Sequence, residues 1–159
     1  VQDWPEDEIV ALLGGGRAPR GTVMGPMAEV VFRSTQHLSR DDLQAMAVFL
    51  KSLPPTAARP RAPAAPDGAA MRRGEAVYGE HCAACHGERG EGAGGLYPPL
   101  AGNRAVALTP PHNLVKAILH GGFAPATAAH PRPFGMPPFA QTLSDAEIAA
   151  VATYVRNAW

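Results

Sequence analysis

Both cysteines of this 159-residue chain fall in one pentapeptide, Cys82-Ala83-Ala84-Cys85-His86. Two thiols three apart, with a histidine directly after the second, have the spacing of a covalent porphyrin site, C-x-x-C-H. On a helical turn the thiols lie on one side and reach neighbouring vinyl groups, while the next residue turns its imidazole toward the ring centre. The pentapeptide therefore predicts one covalent haem c, bound through Cys82 and Cys85 and ligated by His86. Two rival readings are weaker. A thioredoxin-like redox pair needs no histidine after it and sits in a βαβ setting, for which the chain shows no strand pattern. A zinc site takes four ligands, usually with a second Cys/His pair, and no other cysteine exists here.

The charges balance, with 14 Lys+Arg against 14 Asp+Glu, so neither nucleic acid nor anionic lipid is expected as a bulk electrostatic partner. With 17 Gly and 17 Pro, loops should be long and helices short. A large buried porphyrin would supply the apolar centre that such an all-α domain lacks. No apolar run of membrane-spanning length occurs. No signal peptide begins at Val1. Haem of this kind is attached after export, so a leader removed beforehand or a trimmed chain is expected, with a periplasmic location.

From Pro54 to Ala70 the sequence PPTAARPRAPAAPDGAA has no apolar periodicity and reads as a semi-rigid linker. It separates residues 1–53 from a haem-bearing domain over 71–159. The two pieces repeat each other. HLSRDDLQAMAVFLKSL from His37 aligns with TLSDAEIAAVATYVRNA from Thr142, pairing Leu38 with Leu143, Leu43 with Ile148, Met46 with Val151, Phe49 with Tyr154 and Leu50 with Val155. Ser39 and Ser144 are natural N-caps with acidic residues in the first turn. EIVALLGGG from Glu8 likewise matches NLVKAILHGG from Asn113, a short apolar helix stopped by glycines. Each copy then carries a Gly-(x)-Met: Gly25-Pro26-Met27 and Gly135-Met136. Residues 1–53 thus read as the second half of a domain whose second copy is complete, with no C-x-x-C-H of their own. Truncation or processing of a longer multi-haem protein is the favoured explanation. A natural helical extension is the alternative.

With His86 on one face of the iron, the other face takes a side chain, water or substrate. Met136 is the best candidate: Pro137 and Pro138 hold the backbone extended and Gly135 permits close approach to the ring. A lone methionine is more often a gap-filler in a core, but the loop setting and the matching Met27 outweigh that. His120, at a helix end beside Gly121-Gly122, and His130, in a Pro/Ala-rich loop facing solvent, are the runners-up. The second N–H of His86 needs an acceptor. The rigid turn in Leu96-Tyr97-Pro98-Pro99-Leu100-Ala101-Gly102-Asn103 can aim a proline carbonyl at it. Tyr97, Pro99 and Leu100 are expected to cover the porphyrin, and Asn103 to donate to a propionate or simply hold the turn. Gly74 should let the C-terminal helix cross closely near Tyr154, with Tyr78 beside it.

Taken together, residues 71–159 resemble a class I cytochrome c domain, with GEAVYGEHCAACHG, YPPLAGN, FGMPPF and LSDAEIAAVATYVRNAW in that family's order. Residues 1–53 resemble the end of the middle domain in three-haem cytochrome subunits of membrane-associated periplasmic dehydrogenases. The resemblance implies that Met27 ligated the preceding haem there, and that the whole subunit has two further haems and a C-terminal membrane anchor. It further implies an electron carrier without catalysis of its own, relaying electrons from a dehydrogenase toward quinone or an oxidase. His/Met ligation leaves the iron six-coordinate, which suits that role. The alternative is a haem enzyme or ligand sensor with a displaceable sixth ligand, in which His130 or Arg132 serves as distal group. Homodimerisation through the uncovered helix faces of residues 1–53 is a further expectation.

Overall fold

The computed structural model describes residues 1–55 and 65–159, and among them the regular structure is helical apart from two short ribbons. The all-α expectation holds. The first helix, α1 (Glu6–Gly15), opens on Glu6, Asp7 and Glu8, which suit the positive end of its dipole. It stops where Gly16 turns left-handed (φ 72°) and its N–H closes on the Leu12 carbonyl. A ribbon of β1 (Arg17–Ala18) against β2 (Gly21–Thr22) follows, then α2 (Pro26–Arg33) and α3 (Arg40–Ser52). Ser39 accepts from the Asp42 N–H while the Asp42 carboxylate accepts from the Ser39 N–H, a complete capping box. Trp4, Ile9, Val10, Leu43 and Ala47 form the core of this part.

The linker reading over 54–70 lies outside the described residues for 56–64, and its last part is helical. Asp67 accepts from the Ala69 and Ala70 N–H groups, so α4 (Gly68–His81) begins three residues before Met71. After it come α5 (Ala83–His86), α6 (Arg104–Ala107), α7 (His112–His120), a ribbon of β3 (Gly122–Phe123) against β4 (Gly135–Met136), and α8 (Asp145–Val155). Ser144 and Glu147 repeat the capping box on α8.

Helix α4 crosses α8 at a glycine. A Cβ on Gly74 would stand 2.2 Å from the Ala150 carbonyl oxygen and 2.6 Å from the Tyr154 Cβ. The crossing expected from the sequence is therefore present, with the Tyr78 ring 5.5 Å from Tyr154 and 5.2 Å from Trp159. Val77, Tyr78, Val106, Ile118, Leu143, Ile148, Val151 and Val155 fill the core around it. Burying each such aliphatic side chain contributes about 1.5–3 kcal/mol before entropy is charged against it.

By compactness the described chain divides into two units. One holds residues 1–55 together with Phe123–Phe134; the other holds residues 65–122 together with Gly135–Trp159. The segment 123–134, read from sequence as an ordinary loop of the haem domain, thus belongs with the N-terminal residues.

The repeat now has a physical counterpart. Leu43 and Ala47 of α3 are buried like Ile148 and Ala152 of α8. The adjoining face is not matched: Val151 is 2 % exposed, whereas its partner Met46 is 37 % exposed and Phe49 is 63 % exposed. That face of α8 is the one covered by α4. Among the described residues of its own unit, α3 has no such helix.

Candidate haem-binding site

The pentapeptide forms one tight turn. The Cys82 N–H closes α4 on the Tyr78 carbonyl at 2.9 Å, and the Cys82 carbonyl accepts from Cys85 (3.2 Å) and His86 (2.9 Å). Cys82 is half-buried against the core, and Cys85 is exposed. The two thiols are not joined to each other. Burial first, and Cys85 second, push the Cys82 thiol up to about 11. A redox-active pair needs the reverse, a thiolate at neutral pH, so the local electrostatics disfavour the thioredoxin-like reading.

His86 is oriented by the Pro-Pro turn. Its Nδ1 lies 2.9 Å from the Pro98 carbonyl oxygen. A carbonyl only accepts, so Nδ1 carries the proton and Nε2 keeps the lone pair that a metal needs. Burial lowers the His86 pKa, against the opposing pull of Pro98, which favours the neutral imidazole. The turn is itself fixed from two sides. The Gly90 carbonyl accepts from Leu100 (2.7 Å) and Ala101 (3.0 Å), and Ala93 pairs with Tyr97 through both backbone groups. Gly92, at φ 72°, passes so close that a Cβ would stand 2.6 Å from the Tyr97 oxygen and 2.7 Å from the Pro99 nitrogen.

Two open sequence readings are narrowed here. The carbonyl facing His86 is that of Pro98, and the Pro99 carbonyl is instead taken by the Asn103 side-chain amide at 3.0 Å. Asn103 is buried, and its Oδ1 accepts from the Ala105 N–H at 2.9 Å. It clamps the turn and caps α6, the plainer of the two roles read for it.

Met136 lies in strand β4, not in an open loop, and the glycine that matters most beside it is on another element. Gly121 (φ 61°) ends α7 with its N–H on the Ala117 carbonyl, and a Cβ there would fall 2.2 Å from the Met136 carbonyl oxygen. Beyond the two prolines, Phe139 and Ala140 donate to the Ile118 and Leu119 carbonyls at 3.0 and 3.2 Å. These bonds satisfy carbonyls that the end of α7 leaves free. The Met136 segment is thereby strapped onto the end of α7. His120, the alternative ligand, is exposed, and Gly121 rather than His120 closes its helix. His130, expected to face solvent, is half-buried in the segment 123–134.

Cys82, Leu100, Leu119, Met136 and Phe139 all pack against one core yet stay partly uncovered. Leu119 and Phe139 were not singled out from the sequence; the apolar spacing of α7 and the Phe after the two prolines were the available signals. Tyr97 is half-buried on the same turn as Pro98. Such a partly bare apolar rim, two unpaired thiols, an imidazole with Nε2 free and a thioether fit a flat apolar macrocycle with iron at its centre. Among the described residues no group of three or more His, Cys, Asp or Glu is gathered for a bare metal ion, which removes support from the zinc reading.

Residues 71–159 match the sequence profile of the family described as Cytochrome c. The chain belongs to the cytochrome c family. Membership implies covalent haem c in this domain, as the pentapeptide requires. The chain is also 38% identical over 98% of its length to the cytochrome c subunit of alcohol dehydrogenase (quinone) from Gluconobacter oxydans (strain 621H), covering 34% of that protein. It is 34% identical to the gluconate 2-dehydrogenase cytochrome c subunit of Pantoea cypripedii, over 98% of the chain and 37% of that subunit. To the fructose dehydrogenase cytochrome subunit of Gluconobacter japonicus it is 29% identical, with 98% and 37% covered. The chain therefore spans about a third of the length of these curated relatives. Among the described residues no helix is long and apolar enough to cross a membrane.

Proposed function

We propose that this cytochrome c domain is a one-electron carrier with a single haem, held by Cys82 and Cys85, ligated by His86 and Met136, and working in the periplasm. The observation that carries the reading is the Nδ1 bond of His86 to Pro98, which leaves Nε2 as the ligating nitrogen beside two unpaired thiols. The haem supplies the redox couple. Cys82 and Cys85 would hold the ring by thioethers, Pro98 keeps the imidazole oriented and electron-rich, and Met136 would supply the second protein ligand. Leu100, Leu119 and Phe139 would exclude solvent from it, and half-buried Tyr97 would cover it. Two protein ligands held in both oxidation states keep reorganisation small, which favours electron passage over bond chemistry.

The named relatives are cytochrome subunits of dehydrogenases, which supports a dehydrogenase as donor; quinone or an oxidase is the proposed acceptor. A stopped-flow experiment tests this. The ferric protein is expected to be reduced by a sugar- or alcohol-oxidising periplasmic dehydrogenase working on its substrate, and the ferrous protein to bind no carbon monoxide. Rapid carbon monoxide binding or peroxidase turnover by the unmodified protein would instead favour the enzyme or sensor reading.

Residues 1–53 we read as the second half of another cytochrome c-like domain. The bare face of α3 at Met46 and Phe49, equivalent to the face of α8 that α4 covers, supports this. Met27, 55 % exposed in the first turn of α2, takes the place of an axial ligand with no C-x-x-C-H in this chain to serve. Left uncovered, that face pairs two copies. The double variant Met46→Asp/Phe49→Asp is expected to sediment as monomer where the unmodified chain dimerises; equal association would remove the dimer.

A further inference from the structure

The turn that faces His86 is short of donors. Pro98 and Pro99 have no N–H, so the peptide plane that carries the Pro98 carbonyl to His86 Nδ1 has no N–H with which to fix itself. Its orientation is set by the next plane along the chain, across the locked φ of Pro99. That next plane is held at both ends. Its N–H, on Leu100, donates to the Gly90 carbonyl at 2.7 Å. Its carbonyl, on Pro99, accepts from the side-chain amide of Asn103 at 3.0 Å.

Asn103 is itself rooted. It is buried, its Oδ1 accepts from the Ala105 N–H at 2.9 Å, and its backbone N–H donates to the Leu100 carbonyl at 3.2 Å. The helix it opens, α6, is tied to the end of α8. Arg156 donates to the carbonyls of Val106 and Leu108 at 3.2 and 3.1 Å, and to the Thr109 hydroxyl at 3.0 Å. All of these residues lie in the unit of 65–122 and Gly135–Trp159. Capping α6 needs only an oxygen, which Ser, Thr or Asp would supply as well. The amide arm of Asn103 adds a donor that no cap requires.

We propose that Asn103 is a positioning residue for the histidine ligand: its amide holds the Pro99 carbonyl, keeps the Pro98 carbonyl on the His86 Nδ1–H, and so lowers the midpoint potential of the haem. A firmly accepted Nδ1–H makes the imidazole a stronger electron donor, which favours ferric over ferrous iron. This rests on the reading of His86 as ligand through Nε2.

Solvent exchange of the His86 Nδ1 proton, read by NMR on the ferrous holoprotein, tests it together with the midpoint potential. Asn103→Ser keeps an oxygen to cap α6 and removes the amide. Exchange of the Nδ1 proton is expected to quicken about tenfold or more as the bond opens more often. The ferrous-to-ferric ratio at a fixed potential should rise about threefold or more, which is about 30 mV at 59 mV per tenfold. The far-red methionine–iron band should stay as it is. Unchanged exchange or an unmoved midpoint overturns the positioning role and leaves Asn103 a cap. The unmodified protein gives a second reading that needs no variant to fold. Its Asn103 side-chain amide should exchange slowly, and free exchange with solvent overturns the clamp. Should the His86 ring protons of that protein lack the large upfield displacement a porphyrin imposes on a ligand, the ligand reading fails and the proposal with it.

Discussion

Met136→Ala is expected to keep its covalent haem and lose its sixth ligand. The far-red charge-transfer band of the ferric protein should vanish, the ferrous form should bind carbon monoxide, and the midpoint potential should fall. Axial ligands set haem potentials over roughly 0.8 V, so replacing a thioether by water is worth on the order of 0.1 V or more. The side chain is half-buried, and the strap around it does not depend on it: Gly121 meets the Met136 backbone, and Phe139 and Ala140 donate to Ile118 and Leu119. The fold should therefore survive, so the effect appears in spectrum and potential rather than in yield. An unchanged spectrum and midpoint would assign the sixth position to another group.

Gly74→Ala has the largest expected effect on stability. The new Cβ would enter the Ala150 carbonyl at 2.2 Å, against backbone that cannot rotate away, so α4 and α8 must separate. Overpacking of this kind costs about 3 kcal/mol, a large share of the 5–15 kcal/mol that holds a typical domain together. Gly79 in the same helix provides the contrast. A Cβ there meets nothing within 4 Å, so Gly79→Ala should gain about 0.5–1 kcal/mol from helix propensity. Guanidinium unfolding of the haem-loaded variants reads both. Opposite shifts in midpoint are expected, and a neutral Gly74→Ala would mean that the crossing is looser than its geometry.

Much of this site was legible because its chemistry is local. Cys82, Cys85 and His86 are fixed by their spacing along one turn, and the Ser39 and Ser144 caps are written in adjacent residues. The crossing at Gly74 was legible for a related reason: a glycine inside an otherwise good helix needs a neighbour to explain it. What remained hidden depends on contacts distant in sequence. That Gly121, rather than Gly135, makes room for Met136 follows from how α7 ends against β4, and nothing near residue 135 announces it. The same is true of Pro125, whose ring takes the space a side chain on Gly16 would need. The two repeat methionines also diverge: Met27 is followed by Ala28-Glu29 and enters helix α2, whereas Met136 is followed by Pro137-Pro138, which deny the helix its N–H donors. The repeat predicts equal positions for the two, and the prolines make them unequal. Whether Asn103 faced a propionate or its own turn was likewise undecidable until its two ends were seen on Pro99 and Ala105.

The central claim is that a porphyrin is bonded to Cys82 and Cys85. Intact mass of the exported protein, denatured in acid and organic solvent, tests it most directly. The polypeptide should carry the added mass of one haem, and Cys82→Ala/Cys85→Ala should have the bare polypeptide mass. An exported wild-type chain at the bare mass, with its colour extracted into the organic phase or absent, would contradict it.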